Sequence, residues 1–165
     1  MDLPPALGIA FGLAHAGRAY PAAARSEEAS TRSTMPHLRS AFFSILVADD
    51  QPTVREGMAE FLERQGYRVF RAEGGVVALE IATRERLDCS ILDVHMPDLS
   101  GIDVVRRLPV SPRGIPSILV SGEPSPELER EALSAGAFTF LRKPVSPEAL
   151  RTCVARALAG LEPLR

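Results

Sequence analysis

The sequence has no tryptophan, two cysteines, and a single lysine, Lys143, among 19 basic residues. Aromatic residues make up only 5% of the chain, so its core has to be built from aliphatic side chains. Cys89 and Cys153 lie far apart, with no CxxC pair and no histidine at ligand spacing. This excludes a clustered zinc site and argues against a disulfide framework, leaving both as small buried hydrophobes of an intracellular protein. A net charge of −2 gives no general electrostatic attraction to nucleic acid or to an anionic membrane. Long hydrophobic runs are missing too. Leu3–Gly17 is apolar, but two prolines and three glycines interrupt it and Asp2 precedes it. It is a poor secretory signal and too short to span a bilayer.

What is present divides into an extension and an organised part. A length of 165 residues suits one domain with some chain to spare. Ala22–Ser40 has few large apolar side chains and reads as disordered, so residues 1–40 form an extension, with Met35 as the alternative start. From Phe42 onward, short apolar runs alternate with amphipathic segments. FSILVADD (Phe43–Asp50), YRVFRA (Tyr67–Ala72), CSILDV (Cys89–Val94), IPSILVSG (Ile115–Gly122) and AFTFL (Ala137–Leu141) are the five predicted strands. Between them, Val54, Met58, Phe61 and Leu62 share one helical face, and Gly66 ends that helix. Further helices are expected over Gly75–Arg84, around Val104, Val105 and Leu108 up to Pro109, and from Pro126. The last begins at an N-cap, Ser146, and carries Leu150, Val154, Ala157, Leu158 and Leu161 on one stripe.

The pattern predicts an α/β fold, a (βα)5 doubly wound sandwich of five parallel strands, because near-continuously apolar strands indicate a sheet covered on both faces. A ligand site is then expected beyond the carboxyl ends of the strands. Polar chemistry collects there: Asp49 and Asp50 after the first strand, Asp93 after the third, Ser121 after the fourth and Lys143 after the fifth. Singly, each reads as a cap or a turn. On one rim they form a charged cluster. Two like charges roughly 4 Å apart repel by about 4 kcal/mol at an effective dielectric near 20, so three carboxylates call for a cation beyond one lysine, or for raised pKa values. An all-oxygen set without cysteine suits Mg2+, which keeps several waters and shares its shell with phosphate oxygens.

The motifs ILVADD, LDVHMPDLSGID with Asp93, Pro97 and Gly101, LVSGE and AGAFTFLRKP, in this order, resemble the receiver domain of bacterial two-component response regulators. The resemblance runs from Ser44 to Leu161 and implies a flavodoxin-like receiver fold over residues 42–161. It implies that Asp93 accepts a phosphoryl group in a phosphorelay. Asp50, Asp93 and the backbone carbonyl of His95 would ligate Mg2+, with Asp49 acting mainly through a metal-bound water. Ser121 would hydrogen-bond one phosphoryl oxygen and Lys143 would pair with another. Phe140 matches an aromatic switch position, and Lys143–Pro144 a peptide that is cis in the family. His95 and Glu123 occupy positions flanking the attacking water. The implied partners are a sensor histidine kinase or histidine phosphotransfer protein, an unidentified downstream protein, and a second copy in a phosphorylation-dependent homodimer. Neither nucleic acid nor membrane is expected as a partner, and the implied location is cytoplasmic. Such a protein catalyses only its own phosphorylation and dephosphorylation.

Other classes fit less well. A haloacid-dehalogenase-type phosphatase needs a second Asp two positions after the nucleophile, where this chain has His95. A nucleotide-binding domain needs a glycine-rich loop after the first strand, and ADDQPT offers none. A receiver used as a non-phosphorylated interaction module is disfavoured by the presence of all five site residues. No basic recognition helix follows the last element. The expectation is therefore a single-domain regulator without an output domain, with a fragment of a larger regulator as the alternative.

Overall fold

The computed structural model describes residues 43–159 and Leu161. The expectations for residues 1–40, including a start at Met35, lie outside the described residues. In chain order the elements are β1 (Ser44–Ala48), α1 (Pro52–Arg64), β2 (Arg68–Ala72), α2 (Gly75–Arg84), β3 (Cys89–Asp93), α3 (Gly101–Arg107), β4 (Ser117–Ser121), α4 (Pro126–Ser134), β5 (Thr139–Arg142) and α5 (Pro147–Leu158). All strand pairs are parallel and the sheet order is β2-β1-β3-β4-β5.

Strand alternation sorts the aliphatic side chains onto two faces. Ile45, Val47, Ile91, Ile118 and Val120 point to one side, where they pack with Met58 and Leu62 of α1 and Leu150 and Val154 of α5. Leu46, Leu92 and Leu119 point to the other, against Ala78 of α2, Val104 and Val105 of α3 and Ala132 of α4. Every residue of β3 and β4 is buried, as a sheet covered on both faces requires. Each fully buried Leu, Ile or Val is worth roughly 1.5–3 kcal/mol of transfer free energy, and no tryptophan is needed to fill this core. The Cys89 thiol lies among them, and burial pushes its pKa up to about 12; Cys153 is half-buried and also free.

Among the described residues three helices start on serine caps. Ser100, Ser125 and Ser146 each accept a hydrogen bond at 3.1 Å from a backbone N–H three residues on, and Ser146 was the cap expected from the sequence. Gly66, at φ +89°, turns the chain after α1 toward the edge strand β2. Among the described residues no helix is long and apolar enough to cross a membrane.

The sheet order reverses between β1 and β3: the chain leaves β1 toward β2, then crosses back and continues through β3 to β5. Adjacent loops diverge there and leave a crevice at the carboxyl ends of the two strands. β1 is shorter than the sequence reading, ending at Ala48, so Asp49 and Asp50 lie in the loop that opens this crevice. Asp49 still holds one ladder bond, from its N–H to the Ala72 carbonyl at 3.2 Å.

Candidate functional site

The crevice gathers Asp49, Asp50 and Asp93. One carboxylate oxygen from each lies within 4.8 Å of the others. Asp49 is fully buried, Asp93 nearly so, and Asp50 exposed. Asp49 Oδ1 accepts from the Gln51 N–H at 2.9 Å, a local turn that aims its other oxygen inward.

Lys143 follows β5 and is anchored by its backbone N–H, which donates to the Ser121 carbonyl at 2.8 Å. Its Nζ sits 2.8 Å from Asp49 Oδ2 and 3.1 Å from Asp93 Oδ2. The lone lysine thus bridges two buried carboxylates. Arg142, the residue before it, points outward to Glu129 at 3.9 Å, because neighbouring residues of a strand face opposite ways. The Lys143–Pro144 peptide is cis, as the resemblance implied.

Burial pushes the Asp93 carboxyl above its ordinary pKa. The hydrogen bond and charge of Lys143 pull it down, and the neighbouring Asp49 charge adds to the rise. For Lys143, burial favours the neutral amine, but its hydrogen bonds to Asp49 and Asp93 and their charges outweigh it and raise its pKa. The ammonium is therefore held charged, and Asp93 is a more basic carboxylate than one in water.

Ser121, at the end of β4, is fully buried. Its Oγ lies 3.3 Å from His95 Nδ1 and accepts from the Glu123 N–H at 3.1 Å. The His95 imidazole thus faces the Ser121 hydroxyl. Phe140 is half-buried and packs against the α2–α4 face of the sheet. An open depression of about 270 Å³ runs over Asp50, Gln51, Asp93, His95, Gly122, Glu123 and Lys143.

The donor set fits a hard divalent cation. It consists of oxygen only, and three carboxylates with one ammonium leave a local charge of −2. Asp93 Oδ1 is buried without a hydrogen bond, and Asp49 Oδ2 has only its ion pair with Lys143. Buried carboxylate oxygens in that condition are costly unless a cation or a covalent partner meets them.

Two residues that shape the site were not singled out from the sequence. Arg55 donates from Nη1 to the Asp49 carbonyl at 2.7 Å. Asp98, in the β3–α3 loop, accepts from the N–H groups of Gly75 and Val76 at 2.9 Å each and so caps α2 from another loop. A Cβ at Gly74 would strike the Asp98 carboxylate, and one at Gly75 the Leu99 carbonyl. The Gly-Gly pair is thus a packing requirement of the loop that carries His95. An ordinary Asp before Leu gives no hint of it.

Comparison with known proteins agrees with this fold. The model of the response regulator receiver domain matches residues 45–155. The chain is 32% identical over 114 residues to sporulation initiation phosphotransferase F of Bacillus subtilis, covering 69% of this chain and 92% of that protein. It is 36% identical over 119 residues to the response regulator MprA of Mycobacterium leprae, covering 72% of this chain and 52% of that one. It spans 31% of the length of a cyclic di-GMP phosphodiesterase from Thermotoga maritima. Among solved structures, chemotaxis protein CheY4 of Vibrio cholerae superposes with a TM-score of 0.67 at 32% identity, over 71% of this chain and 99% of that one. The chain belongs to the response regulator receiver domain family, the phosphoaspartate modules of two-component systems.

Proposed function

We propose that the protein accepts a phosphoryl group on Asp93 from the phosphohistidine of a histidine kinase or phosphotransfer protein, and signals by a changed affinity for a protein partner. The observation that carries this reading is the Lys143 ammonium, 3.1 Å from one oxygen of Asp93 while the other, buried, has no hydrogen bond. That second oxygen is the one left to act as nucleophile.

In the proposed step Asp93 Oδ1 attacks phosphorus, forming an acyl–phosphate O–P bond as the P–N bond of the donor breaks. The electron pair of that bond returns to the imidazole, which leaves as a neutral ring when its other nitrogen carries a proton. Negative charge gathers on the peripheral phosphoryl oxygens. Lys143 meets one of them with its charge and the Ser121 hydroxyl donates to another, so the protein acts mainly by positioning and electrostatics. Asp50, Asp93 and the His95 carbonyl would hold Mg2+, with Asp49 supporting it less directly. Bound there, Mg2+ supplies positive charge that offsets both the carboxylates and the incoming phosphoryl group. His95 and Glu123 both line the depression, and this reading gives them the flanks of a water that attacks the phosphoaspartate.

An apolar groove of about 510 Å³ adjoins the depression, lined by Val54, Met58 and Phe61 of α1 and by Pro144, Val145 and Leu150. Gln51 and Lys143 border both. A donor protein seated in this groove brings its phosphohistidine to Asp93, so the groove is assigned to that partner. The chain acts as a stoichiometric acceptor, in a single-domain regulator or as the receiver part of a longer one, in the cytoplasm. Pairing into a homodimer on phosphorylation is part of the same proposal.

The test is to incubate the protein with a phosphorylated kinase, or a small phosphodonor, and Mg2+. Wild type should become labelled and Asp93→Asn should not. Equal labelling of the two would remove Asp93 as the acceptor.

A further inference from the structure

Arg55 closes the first turn of α1, a place where a cation is unfavourable. The helix N-terminus carries partial positive charge, and α1 has no acidic residue in its first turn to offset it. Helix stability is therefore not what the guanidinium serves. Its side chain is only 13% exposed, and Nη1 donates to the backbone carbonyl of Asp49 at 2.7 Å. On its other side Nε lies 3.7 Å from Glu56 Oε1. Glu56 Oε2 in turn accepts from Arg71 Nε at 2.8 Å, and Arg71 forks onto Glu63 at 2.8 and 2.9 Å. A chain of charges thus runs from the edge strand β2 along α1 to the peptide that joins Asp49 to Asp50.

That peptide decides where Asp50 lies. Asp49 is held through its N–H by the Ala72 carbonyl, through Oδ1 by the Gln51 N–H and through Oδ2 by Lys143. Asp50 is exposed, and no hydrogen bond or ion pair holds its side chain among the described residues. Its carboxylate nevertheless converges with those of Asp49 and Asp93. Only the backbone can place it. The Asp49 carbonyl sets the plane of the 49–50 peptide, because a peptide unit is planar. Arg55 grips that carbonyl.

We infer that Arg55 is a positioning residue for the divalent cation, clamping the 49–50 peptide so that Asp50 meets the ion without having to be ordered by it. The inference rests on the Mg2+ reading above. Groups one step out from metal ligands typically change affinity by about 10- to 100-fold when removed.

The test is a calorimetric titration of the full chain with Mg2+ alone, comparing wild type, Arg55→Met and Arg55→Lys, with melting in chelator as the measure of fold. Methionine keeps the apolar stem and removes the donors. Arg55→Met should bind Mg2+ about tenfold more weakly. Arg55→Lys should fall between, since one ammonium reaches the carbonyl but cannot also face Glu56. At saturating Mg2+ both should accept label at the wild-type rate, a recovery that general damage to the site would not show. Mg2+ affinity of Arg55→Met within about twofold of wild type would overturn the positioning role while leaving the cation reading intact. A wild type that does not bind Mg2+ would overturn both. Should Arg55→Met fail to fold, Glu56→Gln decides: weaker binding supports the clamp, and unchanged affinity overturns it.

Discussion

Lys143 Nζ lies 3.1 Å from Asp93 Oδ2, joining the end of β5 to the end of β3 across the strand between them. The same nitrogen lies 2.8 Å from Asp49, so one ammonium ties three strand ends together. A compact point charge with rotatable donors suits that place, whereas a guanidinium is a broad planar fork. Lys143→Arg should therefore keep the fold and Mg2+ binding but label between about 10 and 100 times more slowly, as misplaced catalytic groups do. A phosphorylation-dependent signal, such as partner binding or a change at Phe140, should be lost. Equal labelling rate and equal signal in the two proteins would make the single lysine a coincidence.

Mg2+ should stabilise the protein, since it relieves repulsion among three carboxylates. A ligand at about 100 times its dissociation constant adds roughly 2.7 kcal/mol. Asp50→Ala should lose most of the Mg2+-dependent rise in Tm while melting normally in chelator, because Asp50 is exposed and unpaired among the described residues. Thermal scans with and without millimolar Mg2+ check this. A wild-type Tm indifferent to the ion counts against the site.

The groove proposed for the donor protein can be blocked without touching the chemistry. Gly57 is exposed on α1, lines the groove, and a Cβ there meets open space. Gly57→Gln should raise stability by about 0.5–1 kcal/mol, as removing a mid-helix glycine does. Labelling by a small phosphodonor should be unchanged and transfer from a kinase reduced. If both routes respond alike, the donor docks elsewhere.

Asp98 gives a prediction with a defined pH sign. The N–H of Val76, with those of Gly75 and Leu99, holds its carboxyl below the ordinary value of 3.8. A group depressed on folding contributes stability that is fully present above its unfolded pKa and lost as pH falls through the folded one. Asp98→Ala should cost about 1 kcal/mol at neutral pH, as the loss of a helix cap does. The gap from wild type should close as pH drops below about 4. Urea titrations at pH 7 and pH 3 measure it, and a gap independent of pH removes the charged cap.

Much of this was legible in the sequence, for a physical reason. Aliphatic runs of strand length mark buried parallel strands, and the residue that follows each run has to emerge at the carboxyl edge of the sheet. Asp49, Asp93, Ser121 and Lys143 could be placed on one rim from their positions after such runs, before any distance was known. Ser146 as a cap and Gly66 as a stop are local choices that the backbone makes with its neighbours in sequence. The tertiary structure alone decided the rest. Arg55 acts on a carbonyl and Asp98 on three N–H groups, and backbone atoms are the same at every position, so such partners leave no trace in residue identity. Which carboxylate stays exposed, and which oxygen of Asp93 is left without a partner, depends on how loops from three strands close over one another. Only packing across the sheet determines that.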